Sequence, residues 1–335
     1  MKKQCLRLSI LFIVINFCTL AKDCSFIDTK VRLPKEISTY LDIAEVSSGK
    51  YRDNASYLSE SEEISKGDNR KVKDSESPSY LDASGLLYIT FDNGKSMKCT
   101  GNLTDTVLNR SSKILTSAEH CFVYKDESGR RNYRVKIKSI TWSTYTKDGE
   151  LIRRSAQVLK TSRRSDTALL KLDQEVPFSK IKPFLFLGDF EDGEIGDILE
   201  LYEESATLAG FSSDSYKGRS GRNLTYTEDL SYDKFKRGVD SANRSITEVS
   251  ATSYGGASGG ALTMSLSDTS NEDLELYENN GQRIFLGVTG SVRGLGQDES
   301  TYYISNSNIG APETNVIGFK DFFNDGYLKY FTLNE

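Results

Sequence analysis

Short apolar or alternating runs dominate the pattern of hydrophobic positions between residues 80 and 292. Runs of about four to eight residues bounded by turn residues predict β-strands. They are GLLYITF at 85–91, RVKIKSITW at 134–142, AQVLK at 156–160, ALLKL at 168–172, DILELY at 197–202, ATLAGF at 206–211 and RIFLGVTGSV at 283–292. Turn residues such as Asp92-Asn93-Gly94 separate several of them. The spacing predicts an all-β fold, either a sandwich or a barrel.

Helical periodicity is weak until the end of the chain. There the stretch VIGFKDFFNDGYLKYF, at 316–331, predicts one amphipathic C-terminal helix. The chain shows no internal repeat, and its one biased tract is a charged segment near the start.

That charged segment precedes the strands. Between Ser59 and Ser79 the chain holds ten charged residues and only two aliphatic ones, Ile64 and Val72. Such a composition cannot bury enough apolar surface to offset the entropy of ordering. It predicts that residues 22–79 form a mobile linker or an exposed, cleavable prosegment. The alternative is a surface loop that belongs to the fold.

The N-terminus has the three parts of a signal peptide. MKKQCLR is basic, LSILFIVINF is apolar, and Thr19-Leu20-Ala21 offers small residues before a cut. A transmembrane anchor, the alternative, needs about 20 apolar residues. The sequence therefore predicts a signal peptide over 1–21 and a secreted or periplasmic protein that leaves the membrane after cleavage.

Composition bounds the partners and the number of domains. A length of 335 residues suits roughly two domains. The 43 basic and 48 acidic residues give a net charge of −5, which does not indicate a nucleic-acid partner. We expect a monomer.

Export changes the interpretation of the cysteines. Cys5 and Cys18 leave with the signal peptide, and an oxidising compartment favours a disulfide among the others. We pair Cys99 with Cys121 because each flanks a strand-like or motif-like segment, which leaves Cys24 over. Three cysteines and one histidine at unsuitable spacing do not form a zinc site, so we expect no metal.

The stretch GGASGGAL at 255–262 surrounds Ser258 with four glycines. It is either a flexible turn or a tight loop that presents a nucleophile and bare N–H groups. A serine nucleophile needs a base, and the only histidine is His120. Asp166 opens an apolar run and could orient that histidine. Taken singly, His120 could be structural and Asp166 could simply begin a strand.

Together the three contexts resemble the signature segments of chymotrypsin-like (trypsin-like) serine proteases. They are Ser-Ala-Glu-His-Cys at 117–121, Asp-Thr-Ala-Leu-Leu-Lys-Leu at 166–172 and Gly-Gly-Ala-Ser-Gly-Gly-Ala-Leu at 255–262. They follow that family's order, with separations of 46 and 92 residues between the key positions. Cys99-Thr100-Gly101 and Ala209-Gly210-Phe211 resemble two further strands of the family. The resemblance covers residues 80–325.

The resemblance implies two six-stranded antiparallel β-barrels with a C-terminal helix that packs on the body. The first barrel is expected over 80–180 and the second over 190–310, within a protease domain of 80–325 and before a tail of 326–335. The active site of the family lies in the cleft between the barrels.

The resemblance also implies roles for the site residues. His120 accepts the proton of Ser258, Asp166 holds the imidazole, and the N–H groups of Gly256 and Ser258 form the oxyanion hole. The mechanism needs no cofactor, and the substrates are proteins or peptides.

Two departures from the family concern activation. Animal members carry an aspartate directly before the nucleophile, where it pairs with a newly cut N-terminal amine, whereas this chain has Ala257. No Ile/Val-Val-Gly-Gly activation site occurs near residue 80. The resemblance to bacterial members then implies a preformed pocket, with residues 22–79 as an inhibitory or folding segment.

Specificity depends on the walls of the primary pocket. By the resemblance, Thr252 forms its floor and is followed by Ser253 and Tyr254, a neutral set that argues against a strong preference for Lys or Arg. Arg293, on the opposite wall, could favour acidic side chains or could be a solvated rim residue.

Two functions stay open on the sequence. The first is a secreted endopeptidase. The second is a catalytically silent, protease-like binding or regulatory protein, although such proteins usually lack a triad member. An α/β-hydrolase esterase is excluded because its histidine must follow the serine, and His120 precedes Ser258.

Overall fold

A computed structural model gives the structure. It describes residues 68–126, 128–163, 165–186, 206–214, 217–230, 235–239, 245–249, 251–265, 281–293, 313–317, 330–331 and 333. All of them belong to one compact unit, residues 49–335. The expected signal peptide, Cys24 and the expected strand at 197–202 lie outside the described residues.

The first half of the fold is a closed barrel. The part of the chain up to residue 186 contains eight strands: β1 (Lys71–Val72), β2 (Ser84–Phe91), β3 (Ser96–Asp105), β4 (Ser112–Ala118), β5 (Ile137–Tyr145), β6 (Leu151–Ser162), β7 (Thr167–Val176) and β8 (Phe184–Leu185). Six of these pair antiparallel in the order β3-β2-β5-β6-β7-β4, and β4 closes the barrel by pairing with β3. A six-stranded barrel in this part of the chain is therefore confirmed.

The barrel interior explains why these runs are strands. Alternating positions of β2 point inward, and Leu87, Ile89 and Phe91 are fully buried. Trp142 of β5 is also fully buried, and its Nε1 donates a hydrogen bond to the Gly101 carbonyl at 2.8 Å. Burying each large apolar side chain contributes about 1.5–3 kcal/mol. The apolar face of each strand thus fixes its register.

The second half is also antiparallel. It contains the strands β9 (Ala206–Phe211), β10 (Leu224–Leu230), β11 (Phe235–Val239), β12 (Ser245–Val249), β13 (Ala261–Met264), β14 (Ile284–Arg293) and β15 (Glu313–Ile317). They pair in the order β10-β9-β13-β14-β15-β12-β11. Among the described residues no pairing closes this sheet, so the second barrel stays a prediction.

The two sheets are joined by β8. This two-residue strand pairs in parallel with β3 on one side and with β14 on the other. Phe186, which follows it, stacks against Phe285 of β14 and lies 5.8 Å from the ring of Phe331 near the C-terminus. Phe331 thereby packs beside the strand that joins the two sheets.

The helix that the sequence predicts over 316–331 does not begin at residue 316. Val316 and Ile317 belong to β15, where they pair with β12 and β14. Residues 318–329 lie outside the described residues. The described part holds 3-10 turns at Ser79–Ala83, at Glu119–Phe122 and at residues 330–331 and 333. None of its helices has the length and apolar character needed to cross a membrane.

Residues 68–73, termed the N-terminal strap, pack against the second sheet. They include β1, which pairs with β10, and the Lys73 N–H donates to the Leu224 carbonyl at 2.9 Å. From Asp68 onward the segment is therefore not the mobile linker that its composition predicts. Ion pairs, rather than buried apolar side chains, hold this segment in place. For example, the buried Lys73 Nζ lies 2.7 Å from Asp82 Oδ1. Residues 22–67 lie outside the described residues.

Candidate active site

The ends of two paired strands bring His120 and Asp166 together. β4 ends at Ala118 and leads into the short 3-10 turn that carries His120, while Asp166 directly precedes β7. Ala118 lies opposite Thr167 in the antiparallel ladder, so the next residues outward meet. The N–H of Glu119 accordingly donates to the Asp166 carbonyl at 3.0 Å.

The Asp166 carboxylate holds both the ring and the backbone of His120. His120 Nδ1 lies 2.8 Å from Asp166 Oδ2, and the His120 N–H donates to Oδ1 at 2.9 Å. The side chains are 18% and 5% exposed, so the aspartate is the buried partner. Asp166 adopts a φ of 51°, a left-handed backbone that aspartate tolerates better than most residues. When Nδ1 donates to the carboxylate, Nε2 of the neutral ring is the hydrogen-bond acceptor.

Ser258 lies in a tight loop before β13, and residues 254–260 are termed the Ser258 loop. The Ala257 N–H donates to the Tyr254 carbonyl at 3.0 Å, and the Gly260 N–H donates to the Ala257 carbonyl at 2.7 Å. Gly256 has a φ of 85°, which glycine adopts without strain. In the part of the chain that the structure describes, the N–H groups of Gly256 and Ser258 donate no hydrogen bond.

The Ser258 loop packs directly on the first barrel. The N–H of Thr100 donates to the Ser258 carbonyl at 2.9 Å, and the side-chain amide of Asn102 donates to the Gly259 carbonyl at 2.7 Å. The approach is so close that a Cβ on Gly259 would lie 2.3 Å from the Thr100 carbonyl oxygen. The loop that carries Ser258 is thereby held on β3 and β4, and β4 leads to His120.

The expected disulfide between Cys99 and Cys121 is present. Cys99 lies in β3, next to the residue that binds the Ser258 carbonyl, and Cys121 directly follows His120. The bridge thus joins the strand under the Ser258 loop to the turn that carries the imidazole.

Removing this bridge is expected to lower the free energy of unfolding by about 3 kcal/mol, because the bridge closes a loop of 22 residues in the unfolded chain. Urea unfolding of the wild type and of a Cys99→Ala/Cys121→Ala double variant measures the difference. Reductant should destabilise the wild type and leave the double variant unchanged. Equal stability of the two proteins under oxidising conditions would contradict the prediction.

A match to a known family decides the class of protein. Residues 71–272, more than half of the chain, match the family of the lysyl endopeptidase C-terminal domain. The chain belongs to this family. It is therefore a serine-type endopeptidase of the trypsin-like class. The match begins at Lys71, within the N-terminal strap.

Several solved structures are similar to the endopeptidase at low identity. Protease Anisep from Arthrobacter nicotinovorans is 11% identical, with a TM-score of 0.47 and coverage of 78% of this chain and 98% of that one. The thermostable serine protease AL20 from an extremophilic microorganism is 11% identical, with a TM-score of 0.46 and coverage of 76% and 99%. HL collagenase is 15% identical, with a TM-score of 0.43 and coverage of 76% and 96%. No curated protein sequence matches the chain.

Three residues expected to line the specificity pocket of the endopeptidase are buried, two directly before the Ser258 loop and one at its start. They are Thr252, Ser253 and Tyr254. Thr252 and Ser253 line a small cavity together with Arg70 of the N-terminal strap. The Arg70 guanidinium lies over the Tyr254 ring, 4.6 Å from its centroid. Burial raises the pKa of the Tyr254 phenol to about 12, so the phenol stays neutral.

The fourth expected pocket residue, Arg293, is the last residue of β14. In the ladder with β15 its partner position is Glu313. Its contribution to the specificity of the endopeptidase stays a prediction.

Thr100 and Asn102 support the Ser258 loop, although the sequence does not single them out for this role. Thr100 Oγ1 accepts a hydrogen bond from the Phe211 N–H at 2.9 Å and donates one to the Gly256 carbonyl at 3.2 Å. Thr100 and Asn102 are both polar residues at fully buried positions of β3, a burial that their residue types do not indicate. Buried polar groups need partners, but no spacing in the sequence names those partners.

Proposed function

We propose that this endopeptidase hydrolyses peptide bonds with Ser258 as nucleophile, His120 as general base and Asp166 as the group that orients His120. The observation that carries the proposal is the pair of hydrogen bonds from His120 to the Asp166 carboxylate. Because one carboxylate accepts both hydrogen bonds, it fixes the ring and the backbone of His120 at the same time. Such fixed orientation is what a general base requires.

The proposed reaction has two halves. Ser258 Oγ attacks the scissile carbonyl carbon while its proton moves to His120 Nε2. His120 then gives this proton to the leaving amine, the C–N bond breaks, and an acyl-enzyme remains. In the second half His120 takes a proton from water, the water oxygen attacks the ester, and the proton returns to Ser258 as the acid is released.

Two backbone N–H groups support the proposed oxyanion site. Those of Gly256 and Ser258 lie on the same tight loop, and the positive φ of Gly256 sets the peptide geometry on its N-terminal side. Fixed donors aimed at a developing negative charge contribute about 3 kcal/mol each to transition-state stabilisation. This supports a role for Gly256, whereas Gly259 is required by the close approach of the Ser258 loop to Thr100.

The proposed substrates are proteins or peptides that an exported enzyme meets after removal of residues 1–21. The family description names lysine, whereas Thr252 and Ser253 offer only hydroxyl groups in the described part of the pocket. A binding site for an ammonium group is strongest where a carboxylate pairs with it. We therefore propose no strong preference for basic side chains.

Labelling with a fluorophosphonate probe tests the proposal, because the probe reacts with an activated serine. The purified wild type should be labelled, whereas Ser258→Ala and His120→Ala should not. Ser128→Ala, a change of an exposed serine in a turn, is the matched control and should be labelled like the wild type. Mass spectrometry should place the adduct on Ser258.

Each other outcome has a defined meaning. Labelling of Ser258→Ala at the wild-type rate would refute the assignment of the nucleophile. A folded wild type that is never labelled would instead favour a protease-like binding protein. A peptide library then measures whether lysine, acidic or other side chains precede the cut bond.

A further inference from the structure

A buried arginine of the N-terminal strap lies behind the Ser258 loop. Arg70 is only 3% exposed. Its Nε and Nη2 donate to the two oxygens of Asp68 at 2.9 and 2.6 Å, and its Nη1 donates to Asp214 Oδ1 at 2.8 Å. The planar guanidinium is thus held between two carboxylates, one from the strap and one from the segment after β9.

The charges in this cluster are matched when Lys217 is included, because its Nζ lies 3.7 Å from Asp68 Oδ1 and gives two cations for two carboxylates. Burial disfavours the charged guanidinium, but the hydrogen bonds of Asp68 and Asp214 outweigh burial and raise the pKa of Arg70. Burial likewise works against the charged Asp68, and the contacts of Arg70 outweigh it and lower the pKa of that carboxyl. Removing one partner of a buried ion pair leaves an uncompensated charge. The cluster therefore holds together as a unit.

The cluster reaches the Ser258 loop from two sides. The Arg70 guanidinium stacks on Tyr254, the first residue of that loop. Asp214, the partner of Arg70, directly follows Ser213, whose N–H donates to the Gly255 carbonyl at 2.6 Å. Both contacts flank the peptide that leads to Gly256.

A small cavity lies next to Arg70 and to the Ser258 loop. It is lined by Arg70, Ser212, Thr252, Ser253, Ala257 and Thr289. Ala257 stands where animal members of the family carry the aspartate that orders their pocket. The ion pair of Arg70 with Asp68 and Asp214 therefore borders the cavity that Ala257 also lines.

We propose that Arg70 is a positioning residue that keeps the Gly256 and Ser258 N–H groups in their catalytic geometry, in place of an ion pair with a new N-terminal amine. The inference rests on the proposed function. It also means that productive processing cuts before Asp68, because a chain that begins at Tyr80 lacks the whole strap.

The test uses full-length protein with Arg70→Met, Arg70→Lys and the control Lys71→Met. Lys71 is the next residue of the strap, and its exposed side chain pairs with Glu228 away from the loop. The measurements are kcat and KM for peptide hydrolysis, the rate of fluorophosphonate labelling, and affinity for a peptide boronic acid. Proton NMR of His120, the only histidine, reports whether the first barrel is intact.

Arg70→Met is expected to lose about 10²-fold in kcat and a similar factor in boronate affinity, as removal of an oxyanion donor does, with a small change in KM. Arg70→Lys should lose about tenfold, because an ammonium cannot bridge both carboxylates with a planar fork. Lys71→Met should stay within about twofold of wild type. The His120 signal should not change in any of the three, whereas a merely structural role would alter it together with activity.

Several results would overturn the inference. One is a wild-type kcat in a folded Arg70→Met variant. If Arg70→Met does not fold, Arg70→Lys and Asp214→Asn replace it in the test. A wild-type kcat in both variants refutes the role. Losses that add fully in the Arg70→Lys/Asp214→Asn double variant also refute it, because the effects of two residues in direct contact are not additive. If fluorophosphonate never labels the wild type, the proposed function and this inference are both refuted. If the labelling rate is the same in the wild type and in the Arg70 variants, only the inference is refuted.

Discussion

Asp166→Asn is expected to reduce kcat for peptide hydrolysis by about 10⁴-fold while the protein stays folded. An asparagine side chain can present its amide to His120 Nδ1, which then acts as acceptor and leaves the proton on Nε2. In that tautomer His120 cannot accept the proton of Ser258. Steady-state kinetics measure the loss, and proton NMR of the single histidine reports the change of tautomer.

The matched control is Asp173→Asn. Asp173 is an exposed aspartate on β7, the strand that Asp166 precedes, so the substitution makes the same chemical change away from His120. It should leave kcat within about twofold of wild type. An Asp166→Asn variant that is folded and loses less than tenfold would show that the His120–Asp166 contact is not part of the mechanism.

Gly259→Ala is expected to lower the free energy of unfolding by about 4 kcal/mol, the sum of two effects. Gly259 has a φ of 80°, and a left-handed backbone costs a residue with a side chain about 1–3 kcal/mol. The new methyl group would also lie 2.3 Å from Ser117 Oγ and from the Thr100 carbonyl oxygen, and such overpacking costs about 1–3 kcal/mol. Denaturant unfolding followed by the fluorescence of Trp142, the only tryptophan, measures the loss.

Gly94→Ala separates the two effects. Gly94 has the same φ of 80°, in the turn between β2 and β3, but a Cβ there has no atom within 4 Å. It should therefore lose only the backbone part, about 1 kcal/mol. If both variants lose the same stability, the close approach of the Ser258 loop to the first barrel does not contribute.

The sequence predicts strands best where one face is apolar throughout. The run at 206–211 matches β9, and the run at 85–91 matches β2 to within one residue. β10 was missed because Thr, Glu and Asp replace apolar residues along Leu224–Leu230. The pattern predicts a helix that starts at Val316, whereas Val316 and Ile317 lie in β15, because a short apolar pair fits either period.

Local motifs identify the candidate residues but not what supports them. The contexts of His120, Asp166 and Ser258 are each contiguous in sequence, so a resemblance can find them. Arg70 lies 144 residues from Asp214, and its neighbours read as a solvated charge run. Only the fold reveals that these charges neutralise each other in the interior, which is why composition predicted a mobile linker there.

The parallel strand β8 has a consequence for self-digestion. A proteolytic enzyme in solution is cut by its own copies mainly through locally opened states. Phe184–Leu185 shares hydrogen bonds with β3 and β14, so neither half can open without breaking a ladder of the other. Local opening at β8 therefore costs pairing on both sides, and the bonds next to Phe184–Leu185 should be cut only after both pairings are lost.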